Sequence, residues 1–384
     1  MAAPRRVLVV NAGSSSLKLR LLDRDDTVLG SRDLAAAAGR FAADEVSGAL
    51  RQLTGSRSGE SDESDRSGES GVDAVGHRIV HGGTRYRDGV ALDPEVLEAL
   101  RELTALAPLH QRKSLAGVDV VSAALPGVPA VACFDTAFHA RMPAAAATYA
   151  VPAAWRERYR IRRYGFHGLS HAYAARRAAE LLGRAVAGFR VVTCHLGAGA
   201  SLAAVHSGQS VDTTMGFTPL EGLVMATRSG TVDPGLVLWL QQHAGLPADE
   251  VNETLEHSSG LAGLAGTPDM REVTARAAGG DGTAVAALEV YLHRLRGGIA
   301  AMAAAMSGLD ALVFTGGVGE NSPVVRAGAT AGLEFLGVAL NQGRNAAARG
   351  DADVSAAGAP VPTLVISARE DLEIAREVRR VLTR

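Results

Sequence analysis

Short apolar runs alternate with glycine-rich polar stretches along this chain, and several runs end on residues that carry chemistry. Val7-Leu8-Val9-Val10 reads as a buried strand from its β-branched content. Asn11-Ala12-Gly13-Ser14-Ser15-Ser16 follows, and then 17–22 alternates apolar and basic positions, as a half-exposed strand does. The two runs predict a hairpin whose turn holds an amide, a glycine, three hydroxyls and Lys18. Such groups suit an anion, although Asn, Gly and Ser are also plain turn formers. The design recurs at Thr193-Cys194-His195-Leu196-Gly197-Ala198-Gly199-Ala200-Ser201, which leaves one apolar run and enters another at 202–205. Closely spaced glycines there leave backbone N–H groups bare of side chains, facing outward and able to meet phosphate oxygens. An ordinary hairpin would use glycine too. A third glycine turn, 316–321, follows the buried run 311–315.

Between these loops the pattern predicts helices at 42–53 and 94–106, the second amphipathic with proline at its start. Residues 107–110 break it, and another helical stretch ends near Leu125. The run 74–83 is strand-like and ends on Gly82-Gly83, with Arg78 inside it. A buried arginine needs a partner, either a structural carboxylate or an anionic ligand. The strand 129–134 ends in Asp135-Thr136-Ala137-Phe138-His139. An Asp at the C-terminal end of a buried strand is where α/β folds place reactive groups; an Asx-turn or helix cap is the alternative. Arg162-Arg163-Tyr164-Gly165-Phe166-His167-Gly168-Leu169-Ser170-His171 sets His167 just ahead of an Ala-rich helix reaching 182, a position that suits an anion, although a lone histidine is more often structural. Residues 212–234 form a long loop broken by Pro and Gly and bearing Arg228, and loops of that length are usually functional. Helices follow at 235–243, 248–257, from 267, and at 284–306. The last strand is 363–367 and the terminal helix 372–382.

Composition changes the picture little. The 384 residues allow two domains or three, and a 47% apolar content with a formal net charge of −2 describes an ordinary soluble globular protein. No basic excess points to nucleic acid or to an anionic membrane. Cys133 and Cys194 lie in apolar runs and read as buried free thiols of a reducing compartment, without metal-ligand spacing. The N-terminus enters a strand almost at once, leaving no room for a signal peptide, and the uncharged helical run 297–309 is too short to span a bilayer. A cytoplasmic protein is expected. Residues 55–70 lack any large apolar side chain and read as a disordered surface insert. Neither a P-loop nor an intact G-x-G-x-x-G is present, so a nucleotide would be held by hairpin turns and not by a helix-start loop.

Seven strings, in order, carry a resemblance: Asn11-Ala-Gly-Ser-Ser-Ser-Leu-Lys18, Gly76-His-Arg-Ile-Val-His-Gly-Gly83, Phe134-Asp-Thr-Ala-Phe-His139, Tyr164-Gly-Phe-His-Gly168, Met215-Gly-Phe-Thr-Pro-Leu-Glu-Gly222, Thr227-Arg-Ser-Gly230 and Gly317-Val-Gly-Glu-Asn-Ser322. Outside 55–70 the whole chain resembles the acetate-and-butyrate kinase family of the actin/Hsp70/sugar-kinase superfamily. The resemblance implies an α/β fold of two domains, a duplicated ribonuclease H-like core with an interdomain nucleotide cleft. Residues 1–138 would form the acyl- and phosphate-side domain and 139–370 the nucleotide-binding domain, with a terminal helix 371–384 packed on the first. The implied reaction is reversible transfer of the ATP γ-phosphoryl to acetate, giving acetyl phosphate and ADP, by direct in-line attack of the carboxylate.

The resemblance also assigns roles. Arg78 and Arg228 would stabilise the transferring phosphoryl, His167 would donate to its oxygens, His110 would lie near the same group, and Asp135 would orient Arg78 or the metal. Val80, Leu109, Phe166 and Pro219, with Arg78, would receive the substrate acid. Ser14, Ser16 and Lys18 would contact phosphate. His195, Gly197, Gly199, Asp269, Met270, Arg271, Gly317, Gly319 and Asn321 would bind the nucleotide. Asn11 and Glu370 would sit closest to Mg2+, with Mn2+ as its substitute, and the family is typically homodimeric. Four positions depart from the family pattern: Ala198 stands where Asn is frequent, Gln111-Arg112 where Asn-Pro usually follows His110, and Arg369 where a neutral or acidic residue is common. Propionate or butyrate as acceptor stays open, because one methylene in an apolar pocket is worth only about 1–3 kcal/mol. A non-catalytic nucleotide-binding scaffold is the rival of another class, and the joint presence of Arg78, Asp135, His167 and Arg228 argues against it.

Overall fold

In a computed structural model of the chain the described residues are 3–13, 16–35, 41–54, 71–106 and 108–383, without the side chains of 105–110. The expected insert at 55–70 lies outside them. The chain divides into two compact units, one of Met1–Phe138 with Arg369–Arg384 and one of His139–Ala368.

The first unit is built on a six-stranded sheet. Its strands are β1 (Val7–Ala12), β2 (Ser16–Leu22), β3 (Val28–Ala35), β4 (Ala74–Ile79), β5 (Val90–Ala91) and β6 (Ala130–Phe134), in the order β3-β2-β1-β4-β6-β5. Strands β1, β2 and β3 pair antiparallel, β1, β4 and β6 pair parallel, and β5 closes the edge antiparallel. Val7 to Val10 are each at most 1% exposed, which is why β1 reads as a continuous apolar run and not an alternating one. Burying each such side chain is worth roughly 1.5–3 kcal/mol, enough to hold β1 at the centre. In β2 Leu17, Leu19 and Leu21 point into the core while Lys18 is exposed. The helix Glu370–Leu382 seats against β4 because Gly76 has no side chain: a Cβ there would lie 2.5 Å from Ile374 and 2.7 Å from Val378.

The second unit repeats this plan with β7 (Arg190–Leu196), β8 (Ala200–His206), β9 (Gln209–Thr213), β10 (Ala311–Thr315), β11 (Ala352–Asp353) and β12 (Thr363–Val365), in the order β11-β12-β10-β7-β8-β9. An antiparallel triplet again joins two parallel strands, with a short antiparallel strand at the far edge. This duplicated α/β architecture of two units is the actin/Hsp70/sugar-kinase-like fold expected from the sequence. Among the described residues no helix is long and apolar enough to cross a membrane.

Three local expectations need correction. The third glycine turn is a helix start: Gly316, at φ +78°, turns the chain directly from β10 into the short helix Gly316–Asn321. Only a residue tolerant of the left-handed region allows so abrupt an entry. The loops are therefore not all hairpins. The helix expected over 94–106 is α-helical only for Pro94–Glu102 and tightens into a 3-10 turn over Leu103–Leu106. In the turn between β7 and β8, Gly197 does not turn its N–H outward; it donates to Gly199 O at 3.0 Å, closing the hairpin.

Candidate active site

In the first unit, strand pairing brings four polar groups together. Val10 of β1 pairs with His77 of β4, so Asn11 and Arg78 follow side by side, and β6, on the other side of β4, delivers Asp135 from its C-terminal end. Arg78 Nε donates to Asp135 Oδ1 at 3.0 Å and Nη2 donates to Oδ2 at 2.6 Å. Its Nη1 donates to Asn11 Oδ1 at 3.1 Å, and Glu370 Oε2 stands 3.7 Å from Nε. Asn11 Nδ2 in turn donates to Glu370 Oε2 at 3.1 Å. Burial pulls the Arg78 pKa down, but the charges of Asp135 and Glu370 outweigh it and leave the pKa raised. The result is a permanent cation with its fork locked in one plane by a bidentate carboxylate.

Glu370 and Asn11 offer one carboxylate and one amide oxygen. This hard-oxygen pair suits Mg2+, which keeps several waters and relies on substrate phosphates for other ligands. Among the described residues no cluster of three or more His, Cys, Asp or Glu side chains forms a metal cage. Arg369 directs its guanidinium to Asp371, with Nε 2.9 Å from Oδ1 and Nη2 2.9 Å from Oδ2. Lys18 is the cross-strand partner of Asn11, and the Ser16 carbonyl accepts from Gly13 N–H at 2.8 Å. Val80 is buried just beyond β4. Ser14 and the side chains of Leu109 and His110 lie outside the described residues. The neighbouring departure, Gln111, ties two chain segments together. It is fully buried, donates to the carbonyls of His81 and Leu100, and accepts from His81 N–H.

In the second unit a histidine cluster forms where β7 meets the helix Gly168–Leu181. Thr193 and His195 share one face of β7 by the period of two, and the register places Ser201 of β8 opposite His195. His167, Ser170 and His171 meet that face because positions i, i+3 and i+4 lie together at a helix start. His167 itself occupies the helix N-cap at φ +57°. Its Nδ1 lies 2.9 Å from Ser201 Oγ, and its ring stacks on His195 with centroids 4.3 Å apart. Ser201 Oγ is 2.7 Å from His171 Nε2, Thr193 Oγ1 is 2.7 Å from His171 Nδ1, and Ser170 Oγ is 2.7 Å from His195 Nδ1.

Arg228 stands beside this cluster in a different electrostatic state from Arg78. Its Nη1 donates to Pro219 O at 2.8 Å, and its nearest carboxylate, Glu256, is 3.9 Å from Nε. Burial lowers its pKa and Glu256 opposes this only in part. It remains a cation short of negative charge. The loop that supplies Pro219 is pinned by Glu221, which takes Arg163 Nη2 at 2.7 Å and the Tyr149 hydroxyl. Gly199 ties Arg228 to His167: a Cβ there would lie 3.3 Å from His167 Nε2 and 3.4 Å from Arg228 Nη2. Phe166 is fully buried, with its carbonyl 3.1 Å from His139 Nε2.

The same glycine turn borders a pocket of about 730 Å³ lined by Gly197, Ala198, Asp269, Met270, Arg271, Gly317 and Asn321 among others. This size lies within the usual range for small-molecule and cofactor sites. Asp269 caps the helix Met270–Ala278 and pairs with Arg271 at 2.6 Å, which pulls the exposed carboxyl down to about 2. Met270 offers an apolar surface, and Asn321 Nδ2 donates to Gly317 O at 2.9 Å. Gly319 is turned inward, where a Cβ would meet the backbone of Phe314 and Cys194 at 3.4 and 3.6 Å.

Sequence reasoning did not single out Thr193, Ser170, His171, Ser201, Glu256 or Tyr291, the last of which also lines the pocket. Four of them sit inside strings already quoted for other residues. The missing signal was the β7–β8 register, which no local pattern supplies.

The chain matches the family model described as the Acetokinase family over residues 6–376. It is 47% identical to the acetate kinase of Gloeobacter violaceus over 405 aligned positions, covering 99% of this chain and all of that one. The crystal structure of Porphyromonas gingivalis acetate kinase superimposes with a TM-score of 0.87 at 36% identity, covering 98% of this chain and 99% of that one. A propionate kinase from Francisella tularensis gives 0.86 at 34% identity, covering 97% and 98%. The chain belongs to the acetokinase family and is a kinase, a phosphotransferase whose acceptor is a carboxyl group.

Proposed function

We propose that the enzyme transfers the γ-phosphoryl of ATP to acetate, reversibly, giving acetyl phosphate and ADP. The observation that carries this reading is the placement of Arg228 and His167 around Gly199, in the turn that also borders the 730 Å³ pocket. A nucleotide in that pocket, its base side toward Met270, would run its phosphates past Gly197 and Gly199 toward an under-neutralised guanidinium.

A carboxylate oxygen attacks Pγ in line, and the bond from Pγ to the β,γ-bridging oxygen breaks as ADP leaves. Acetate is already ionised near neutrality, so no general base is needed. The obstacle is the meeting of two anions, and catalysis rests on positive charge and positioning. Arg228 supplies charge with no carboxylate closer than 3.9 Å among its described ion pairs. Arg78, held by Asp135, supplies a cation of fixed orientation. His167 donates to an equatorial phosphoryl oxygen, and the resemblance adds His110 near the same group. Asn11 and Glu370 would hold Mg2+. Bound there, the ion would supply positive charge to offset that of the phosphates.

Val80, Leu109, Phe166 and Pro219, all apolar, are assigned to the acyl group. Most of the similar kinases are named for acetate and one structural neighbour for propionate, so relative rates decide the acceptor. The test compares kcat/KM for acetate, propionate and butyrate with Mg-ATP, trapping acyl phosphate with hydroxylamine. Acetate should lead, with propionate about 10- to 200-fold behind. A lead for butyrate would overturn the acetate assignment. The reading extends to a cytoplasmic homodimer. In its favour, the helix Pro234–Gln242 leaves Leu236, Leu238 and Trp239 exposed.

A further inference from the structure

We propose that Thr193, His171 and Ser201 form a one-directional hydrogen-bond relay that fixes the proton of His167 on Nε2, making them positioning residues for phosphoryl transfer. The inference deepens the function proposed above and rests on it for the role of His167.

The argument is a count of hydrogens. Thr193 is fully buried, and its hydroxyl has one hydrogen-bond partner among the described residues, His171 Nδ1 at 2.7 Å. Were Thr193 to accept from that nitrogen, its own O–H would be buried with no acceptor, a costly arrangement. Thr193 therefore donates, and His171 Nδ1 is bare. His171 is itself fully buried, first by that burial and then by the nearby His139 and His195 rings held well below the usual histidine pKa. A neutral ring has one hydrogen, which must then be on Nε2, and Nε2 donates to Ser201 Oγ at 2.7 Å. Ser201 has no exposed surface and two hydrogen-bond partners, so its hydrogen goes to the other one, His167 Nδ1 at 2.9 Å. His167 is left with its proton on Nε2.

That nitrogen is the one beside Gly199 and Arg228. Running the relay backward would present a bare lone pair at the same place, repelling a phosphoryl oxygen where a donor is needed. The neighbouring histidine follows the same rule. Ser170 is 1% exposed and has His195 Nδ1 as its hydrogen-bond partner, so it donates there and leaves the His195 hydrogen on Nε2. Two stacked imidazoles thus carry their protons on corresponding nitrogens.

Long-range 1H–15N spectra of the full chain labelled at histidine distinguish bare from protonated ring nitrogens without turnover. His171 and His167 should both be protonated at Nε2 and bare at Nδ1; the opposite tautomer at either overturns the relay. Kinetics supply the second reading. Ser201→Ala should lower kcat on the order of tenfold with KM for ATP changed by less than about twofold. His171→Leu should do the same. His171→Gln, whose amide can donate to Ser201 and accept from Thr193, should return to within about threefold of wild type. An unchanged kcat in Ser201→Ala, or no rescue by His171→Gln in chains that retain nucleotide binding, overturns the proposal. A wild-type chain with the expected tautomers that forms no acyl phosphate would uphold the relay and overturn the reaction.

Discussion

Asp135 grips the Arg78 guanidinium with both carboxylate oxygens, at 3.0 and 2.6 Å, from the end of the neighbouring parallel strand. Asp135 is 1% exposed, so the pair is largely withdrawn from water. Removing one partner strands the other charge. Asp135→Ala should cost about 3 kcal/mol of stability, since breaking a buried pair is far more damaging than never having one. It should also lower kcat by about 10²-fold through a loosened Arg78. Calorimetry and steady-state kinetics on the same preparation check both.

Arg228 is the opposite case, a cation with a single loose carboxylate among the described residues. Arg228→Ala should reduce kcat by about 10²–10³-fold while leaving Tm nearly unchanged. Arg228→Lys should recover little, because a lysine cannot both hold Pro219 O and present a second donor in the same plane. A variant that loses stability and keeps its rate would assign Arg228 to structure.

Gly199 lets His167 and Arg228 both come close to its backbone by having no side chain. Its backbone is not in the left-handed region, so Gly199→Ala tests crowding without backbone strain. The added methyl would displace His167 or Arg228 by a few tenths of an ångström, and kcat should fall about tenfold. Gly197→Ala, whose Cβ would meet Gly199 O at 3.4 Å and His195 Nε2 at 3.8 Å, should be milder.

Four buried histidines make the protein acid-sensitive, and burial holds His171, like the other three, below the ordinary value. Burial pulls His77 to about 3 and His81 and His139 to about 4. In the unfolded chain they titrate near the ordinary value of about 6.5. Between those limits the unfolded state binds protons that the folded state refuses. Their stabilisation is complete above pH 6.5 and is lost as pH falls toward 4, by about 1.4 kcal/mol per pH unit for each histidine. His77 has no hydrogen-bond partner among the described residues at either ring nitrogen. His77→Leu should therefore raise Tm near pH 5 and flatten its fall on acidification. A Tm that does not change between pH 7 and 5 would contradict this.

Strands β1, β6 and β10 were legible because strands covered on both faces read as near-continuous apolar runs, and β4, which carries His77 and Arg78, because its run ends on paired glycines. β3 was not: it is exposed almost throughout and offers no period-two pattern. The partners of Arg78 were half legible. Asp135 stands at a strand end in sequence, but its meeting with Arg78 depends on β4 and β6 being neighbours. The turn at 316–321 was misread because a glycine run after a strand looks alike whether it reverses the chain or starts a helix. Thr193, His171 and Ser201 were invisible as a set, since only strand register unites them.

The most direct test of the account is product analysis by 31P spectroscopy of the purified chain incubated with Mg-ATP and acetate. The account predicts acetyl phosphate and ADP in equal amounts, and the reverse formation of ATP when acetyl phosphate and ADP are supplied. Release of inorganic phosphate without acetyl phosphate, or binding of ATP with no acetate-dependent product, would contradict it.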